Sequence, residues 1–386
     1  MIPIETESGQ AVALAEELRP RLASRAAAAD LTGRLPVADL DDLRRSGYLA
    51  LTVPRRLNGG GATLRDVVAA QMVLAQGSTA TALVAGMQLH LLGYLYETGS
   101  YGEGRLAAFG RAVVAEGALF NAVASEPILG SPSRGGLFAT TAVPYGPGYR
   151  INGHKNWVTG GPHLTHMLVK LSLAGQPATV LVTGDLPGIR WEETWSDSLS
   201  LRASESNDLF LENVDVPAEN LLATDSAPAP PNFWFPLIMA GTYLGAALAA
   251  RDAVIRYALQ RVPPALGRPI STLPKIQRQI GEMDVALQAA ELLLLETCAL
   301  WRGDQAEAGR FAPHMAAAKH LAIETALAST ETALRIAGGI SVGRDLPLER
   351  HFRDVRAGLM HPPSGDAALE MAGRGAIERL ADTASS

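Results

Sequence analysis

Apolar positions divide this chain into three stretches with different periods. From about residue 8 to 117 they recur at helical spacing, as in Val12-Ala-Leu-Ala-Glu-Glu-Leu18, and Ala and Leu are dense. Asp41-Asp42-Leu-Arg-Arg-Ser-Gly47 predicts a helix closing at a glycine. Leu51-Thr-Val-Pro54 leads into the tight turn Asn58-Gly-Gly-Gly61, and Thr63 is placed to cap a helix from Leu64. From about 118 to 226, short β-branched runs alternate with turn residues. Phe138-Ala-Thr-Thr-Ala-Val143, Met167-Leu-Val-Lys-Leu171, Thr179-Val-Leu-Val-Thr183 and Asp208-Leu-Phe-Leu-Glu-Asn-Val214 read as strands, and residues 149–158 as a hairpin turning at Asn152-Gly153. Residues 218–232 read as a proline-rich linker, after which long helical patterns return at 236–260, 274–301 and 312–338. The pattern predicts an α+β protein with an N-terminal helical domain (1–117), a central antiparallel sandwich or barrel (118–226) and a C-terminal four-helix bundle (227–386).

Composition narrows the function. The 386 residues suffice for two or three domains, and 47% hydrophobic with 19% charged residues is ordinary for a soluble enzyme. A net charge of −6 argues against a broad nucleic-acid-binding face, which needs clustered Lys and Arg. The single cysteine, Cys298, rules out an intrachain disulfide and a Cys-rich metal site, and its apolar setting marks it as a buried structural thiol. The N-terminal residues show no basic-then-apolar signal pattern, and no apolar run reaches the roughly 18 residues of a membrane span, so a cytoplasmic location is expected. No Gly-x-Gly-x-x-Gly after a strand, Walker Gly-Lys-Ser/Thr, His-Glu-x-x-His or Gly-x-Ser-x-Gly occurs.

Motifs in all three stretches carry a resemblance. They are Gly47-Tyr-Leu-Ala-Leu-Thr-Val-Pro54 with Gly59-Gly-Gly61; Ser125-Glu-Pro127 with Gly130-Ser131; Asn152-Gly153-x-Lys155-x-Trp157-Val158-Thr159; Val214-Asp-Val-Pro217 with Asn220-Leu-Leu222; and Gly338-Gly339 with Arg353-Asp354. Together and in this order they resemble the acyl-CoA dehydrogenase family over nearly the whole chain, although Pro132 replaces an Asp of the family pattern. The resemblance implies a flavin site. A lone Trp is more often a core aromatic; the Asn-Gly-x-Lys frame is what gives Trp157 and Thr159 the family's flavin-contacting roles. Ser125 and Ser131 would supply further contacts. Gly338 and Gly339 read equally well as a helix C-cap or as a backbone close to a pyrophosphate. In the family these glycines reach the flavin dinucleotide of a neighbouring subunit, and Arg261 and Gln277 match positions that also cross an interface. The family's Arg-x-x-Phe-Gly is here Arg261-Val-Pro-Pro-Ala-Leu-Gly267, two residues longer and without the Phe. The resemblance thus implies FAD in a homotetramer or homodimer, with FMN the alternative.

The chain departs from the family at the catalytic base. Removing an α-proton as hydride leaves needs a carboxylate over the α-carbon. One of the family's two Glu positions is Pro362 here and the other Phe235. The nearest carboxylate, Asp366, is expected in a helix first turn. Where the family grips acyl-CoA with an Asp and an Arg, this chain has Pro231-Asn-Phe-Trp-Phe-Pro236. Phe233, Trp234 and Phe235 are either packing at a domain joint or the lining of a pocket for a small apolar or aromatic substrate. A branch of the fold lacks the Glu, takes reduced flavin from a separate reductase and hydroxylates sulfur, nitrogen or aromatic carbon. Some members carry a His after the Arg-Asp/Asn-x-Arg run and another in the N-terminal domain; His361 and His90 match them. Three readings follow: a monooxygenase on a small non-CoA substrate, an acyl-CoA dehydrogenase with a displaced base, and a catalytically silent family member. Retention of Ser125, Ser131, Trp157 and Thr159 speaks against the last.

Overall fold

The computed structural model describes residues 9–128, 136–224 and 229–385. The N-terminal domain holds α1 (Gly9–Thr32), α2 (Val37–Arg45), α3 (Leu64–Gly77), α4 (Thr79–Thr98) and α5 (Glu103–Glu116). The expected start of α3 is realised as a reciprocal cap. Thr63 accepts from the Asp66 amide, and the Asp66 carboxylate accepts from the Thr63 amide.

The central domain is a sheet of β1 (Phe120–Val123), β2 (Thr141–Tyr145), β3 (Gly148–Val158), β4 (His166–Leu173), β5 (Gln176–Thr183), β6 (Ile189–Glu192), β7 (Asn207–Pro217) and β8 (Leu221–Thr224). Its order is β6-β7-β3-β2-β4-β5-β8, with β1 running parallel to β4. The hairpin expected within 149–158 is instead one continuous strand. The chain reverses at Gly146-Pro147, between Tyr145 and its partner Gly148. Asn152-Gly153 sits at a register shift between β3 and β7. There Asn152 accepts from the Asn213 amide at 2.8 Å, and a Cβ on Gly153 would lie 2.3 Å from the Thr140 hydroxyl. Close approach, not a turn, is what requires glycine at that position. The strand expected from Phe138 begins at Thr141, and part of the supposed linker is β8, paired with β5 and tied by Asn220 Nδ2 to the Leu181 carbonyl at 2.9 Å. Pro228 lies outside the described residues.

The C-terminal domain holds α6 (Trp234–Gln260), α7 (Pro274–Leu300), α8 (Ala308–Ala337), the short α9 (Leu348–Asp354) and α10 (Gly365–Ser385). Contrary to the sequence expectation, one helix among the described residues is, by length and composition, long and apolar enough to cross a membrane: α6, with a mean hydropathy of 1.3 in its most apolar window. Yet 78% of that window is buried inside the protein, which makes α6 the core helix where the two helical domains meet. A Cβ on Gly245 would lie 2.3 Å from the Met72 carbonyl, so α6 and α3 approach backbone to backbone. A buried polar chain crosses the same joint: Tyr48 Oη donates to Gln71 Oε1 at 3.1 Å, and Gln71 Nε2 donates to Thr242 Oγ1 at 3.1 Å.

Candidate active site

The Ser-Glu-Pro and Asn-Gly-x-Lys-x-Trp motifs meet through a buried ion pair. Lys155 Nζ lies 2.7 Å from Glu126 Oε1, with both side chains inaccessible. Glu126 also accepts the Ala139 and Thr140 amides, at 2.7 and 3.0 Å, and Lys155 donates to the carbonyls of Ala124 and Lys170. Burial opposes ionisation of Glu126. Lys155 and the Thr140 and Ala139 amides more than offset it and hold the carboxyl below its ordinary range. Burial pushes Lys155 down to about 8 against the pull of Glu126. The pair locks the Ser125 loop to β3, where the Asn156 amide donates to the Ser125 carbonyl at 3.1 Å.

Directly after this clamp β3 bulges against β7. Trp157 adopts the left-handed region at φ 57° and is 55% exposed, the reverse of a core aromatic. Asn156 Oδ1 beside it is buried and has no partner among the described residues. Thr159 is buried, its hydroxyl 2.9 Å from Ser206 Oγ, which in turn lies 2.8 Å from Ser204 Oγ. An open indole, an orphaned acceptor and a linked set of hydroxyls fit the face and polar edge of an isoalloxazine. Ser131 lies outside the described residues.

The two histidines named from sequence come together. His90 of α4 meets the Phe235 ring edge-on at 4.9 Å between centroids, and Phe235 of α6 meets His361 at 5.5 Å. Phe235, which by resemblance stands at one of the family's Glu positions, thus lies against both imidazoles, and His361 directly precedes Pro362, which stands at the other. Burial, reinforced by the charge of Lys319, pushes His361 down to about 4; burial, reinforced by His361, pushes His90 down to about 3. Both rings are neutral near pH 7. Asn232 Nδ2 lies 3.4 Å from His90 Nδ1. An amide nitrogen only donates, so this contact leaves the His90 proton on Nε2. Tyr243 Oη lies 3.2 Å from His361 Nδ1. Burial, then the charge of Asp354, push this phenol's ionisation far up, so it keeps a proton that it can donate to His361 Nδ1, an arrangement that pairs with the same Nε2-protonated tautomer.

Of the three aromatics expected to line a pocket, only Phe235 faces this site. Phe233 is buried edge-on to Trp301 at 4.7 Å and Phe311 at 4.9 Å. Trp234 is buried over Gly93, and its Nε1 donates to Glu97 Oε2 at 2.9 Å, an oxygen that also accepts from Trp301 Nε1 at 2.8 Å. Both are packing at the domain joint, where aromatic area stabilises more than it does in an open cleft.

Arg261, Gln277, Gly338 and Gly339 lie elsewhere. Arg261 follows α6, whose 1.5 Å rise per residue puts it roughly 40 Å from Phe235. Short connections make α6, α7 and α8 alternate in direction, so the start of α7 and the end of α8 gather at that same remote end. All four residues are exposed, and a Cβ on Gly338 or Gly339 would meet nothing within 4 Å. Within one chain they do not join the His90–Phe235–His361 cluster. Gly338, at φ 70°, caps α8.

Sequence reasoning missed Tyr243 and Lys319, each placed in a helix interior where an apolar-rich pattern hides one polar residue. Lys319 of α8 is buried and donates to the carbonyls of Gly358 at 3.2 Å and Pro363 at 2.8 Å. Asp366 is exposed in the first turn of α10, as expected.

Helical domain, sheet and bundle with a flavin platform on β3 define an acyl-CoA dehydrogenase fold, and comparison with known proteins agrees. The acyl-CoA dehydrogenase middle-domain model matches residues 121–214, and the acyl-CoA dehydrogenase C-terminal-domain model matches 237–363. The chain is 37% identical over 357 residues to the putative acyl-CoA dehydrogenase YdbM of Bacillus subtilis (strain 168), covering 92% of this chain and 93% of that one. It belongs to the acyl-CoA dehydrogenase family of flavoproteins. Other relatives carry a different chemistry in their names. The amino sugar nitrososynthase RubN8 of Streptomyces rubradiris is 29% identical, covering 92% of this chain and 86% of that one. The structure of KijD3 with dTDP superposes with a TM-score of 0.85 at 27% identity, covering 97% of this chain and 98% of that one; KijD3 has also been seen with FMN and a dTDP-linked amino keto sugar.

Proposed function

We propose that this chain is a flavin-dependent monooxygenase acting on a small substrate that is not an acyl-CoA thioester. The observation that carries the reading is that His90 and His361, both neutral near pH 7, share the ring of Phe235, where by resemblance α-proton abstraction calls for a carboxylate. A flavin, delivered reduced by a separate reductase, supplies the oxygen-activating chemistry when bound. Trp157 would cover one face of the ring, while Ser125 and Thr159 would meet its edge. His361, its proton held on Nε2 by Tyr243, would hold or pass a proton to the reacting oxygen. His90, tautomerically matched, would orient the substrate from the opposite side of Phe235. With pKa values well below neutrality, both act as neutral hydrogen-bond donors near pH 7 rather than as cations. The nitrososynthase relative supports an oxygen-transferring reading over dehydrogenation. In this reading the chain assembles as a homotetramer or homodimer, and only a second copy can bring Arg261, Gln277, Gly338 and Gly339 to the far end of an FAD. FMN needs no such contacts.

The test is direct. Flavin-loaded protein mixed anaerobically with a panel of acyl-CoAs should keep its oxidised absorbance, and with a reductase and NAD(P)H it should incorporate label from ¹⁸O₂ into product. Bleaching by any acyl-CoA would return the chain to the dehydrogenases.

A further inference from the structure

Lys319 is a buried ammonium that no step above uses. Among the described residues no carboxylate bonds to it, and of their charged groups Glu324 alone pulls its titration up, at a distance. A charge held in a dry interior by two neutral carbonyls is expensive, and a leucine would fill the volume with none of that cost. What distinguishes the two carbonyls is where they lie: Gly358 is three residues before His361 and Pro363 two residues after it.

We propose that Lys319 is a positioning residue for His361, gripping from α8 both ends of the short loop that carries the imidazole against Tyr243 and Phe235. The loop is seated on His361's own partner. A Cβ on Gly358 would lie 3.0 Å from Tyr243 Cδ2 and 2.8 Å from Ile323 Cδ1, so the backbone there has no slack toward α6 or α8. Released from Lys319, it can move only away from Tyr243, and a contact already at 3.2 Å does not survive such a shift. Lys319 also sets the field. The groups acting on His361 from the elements around it are Tyr243 on α6, a neutral phenol; His90 on α4, a neutral imidazole; and Lys319 on α8, the one cation among the described residues that does so. It adds to burial, the larger cause, in holding the ring in its neutral form. The inference rests on His361 having the role proposed above.

The experiment is histidine ¹⁵N NMR on the full chain, with His361 assigned by His361→Gln. In Lys319→Met, checked for a native melt, the Nε2-protonated signature should give way to a tautomer mixture. The titration midpoint should also move up from about 4 toward the ordinary value. Coupled turnover should fall about tenfold, while flavin affinity stays within twofold. If that variant does not fold, the wild-type spectrum serves: His361 should show a second inflection as Lys319 deprotonates near 8. An unperturbed ring in folded Lys319→Met, or a flat trace through that ionisation, overturns the proposal. Full coupled turnover in His361→Gln would instead overturn the role of His361 while leaving the effect of Lys319 on the ring intact.

Discussion

Two buried lysines hold the two halves of this site, and they do so in opposite ways. Lys155 faces Glu126 at 2.7 Å and, with it, forms a neutral unit that fixes a loop. Lys319 has two carbonyls and keeps its charge uncompensated beside His361. Both are pushed down to about 8, burial being the larger cause in each. The platform needs rigidity without a field, because an outside charge there would bias whatever ring it holds. The histidine loop needs rigidity and a field, because a neutral imidazole is the working form. A paired charge fixes geometry alone; an unpaired one also sets protonation.

The largest expected effect tests the pair. Glu126→Ala leaves the Lys155 ammonium and two amides unmatched in a dry site and should cost roughly 3–5 kcal/mol in urea unfolding. Flavin should also be lost on gel filtration; a loss below 1 kcal/mol would mean that the pair is not a structural unit. Next comes the group that Lys319 serves. His361→Ala should lower coupled turnover at least about a hundredfold, near 2.7 kcal/mol, with flavin still bound, and unchanged turnover would remove the imidazole from the chemistry. Lys319→Met should cost less, about 1–2 kcal/mol, since it orphans two carbonyls but relieves a buried charge. Its pH dependence sharpens the contrast. The folded-state ionisation lies at about 8 and the ordinary lysine value at 10.5, so between them the unfolded chain binds the extra proton. The wild type should therefore gain on the variant as pH rises through that window. A gap that narrows or holds constant from pH 7.5 to 10 would place the charge elsewhere. Smallest in stability is Trp157→Ala, within about 0.5 kcal/mol because the indole is exposed. Weakened flavin retention measured by equilibrium dialysis would tie it to the platform, and intact retention would sever that tie.

Much of this was legible in the chain. Periodicity located α6, α7 and α8 to within a few residues, because long helices repeat one signal many times. The cap at Thr63 was legible because its chemistry is local. The hairpin at Asn152-Gly153 was misread because a glycine demanded by a distant residue, Thr140, looks the same in sequence as one demanded by a turn. Phe233, Trp234 and Phe235 stayed open between packing and pocket for a similar reason: adjacent aromatics point different ways on a helix, and of the three Phe235 is the one that meets His90 and His361. A single polar residue inside a buried helix, such as Tyr243 or Lys319, carries no spacing that betrays its partner.

The sequence by itself determined the three-domain order, the motifs of the flavin platform and the absence of a carboxylate at Pro362 and Phe235, since each of these is a property of residue identity along the chain. Only the tertiary structure decided that His90 and His361 share one aromatic neighbour, Phe235, and that Lys319 holds the Gly358 and Pro363 carbonyls on either side of the second of them. Contacts between α4, α6, α8 and the 358–363 loop join residues up to 271 positions apart, from His90 to His361. At such separations, packing rather than local preference selects which side chains touch.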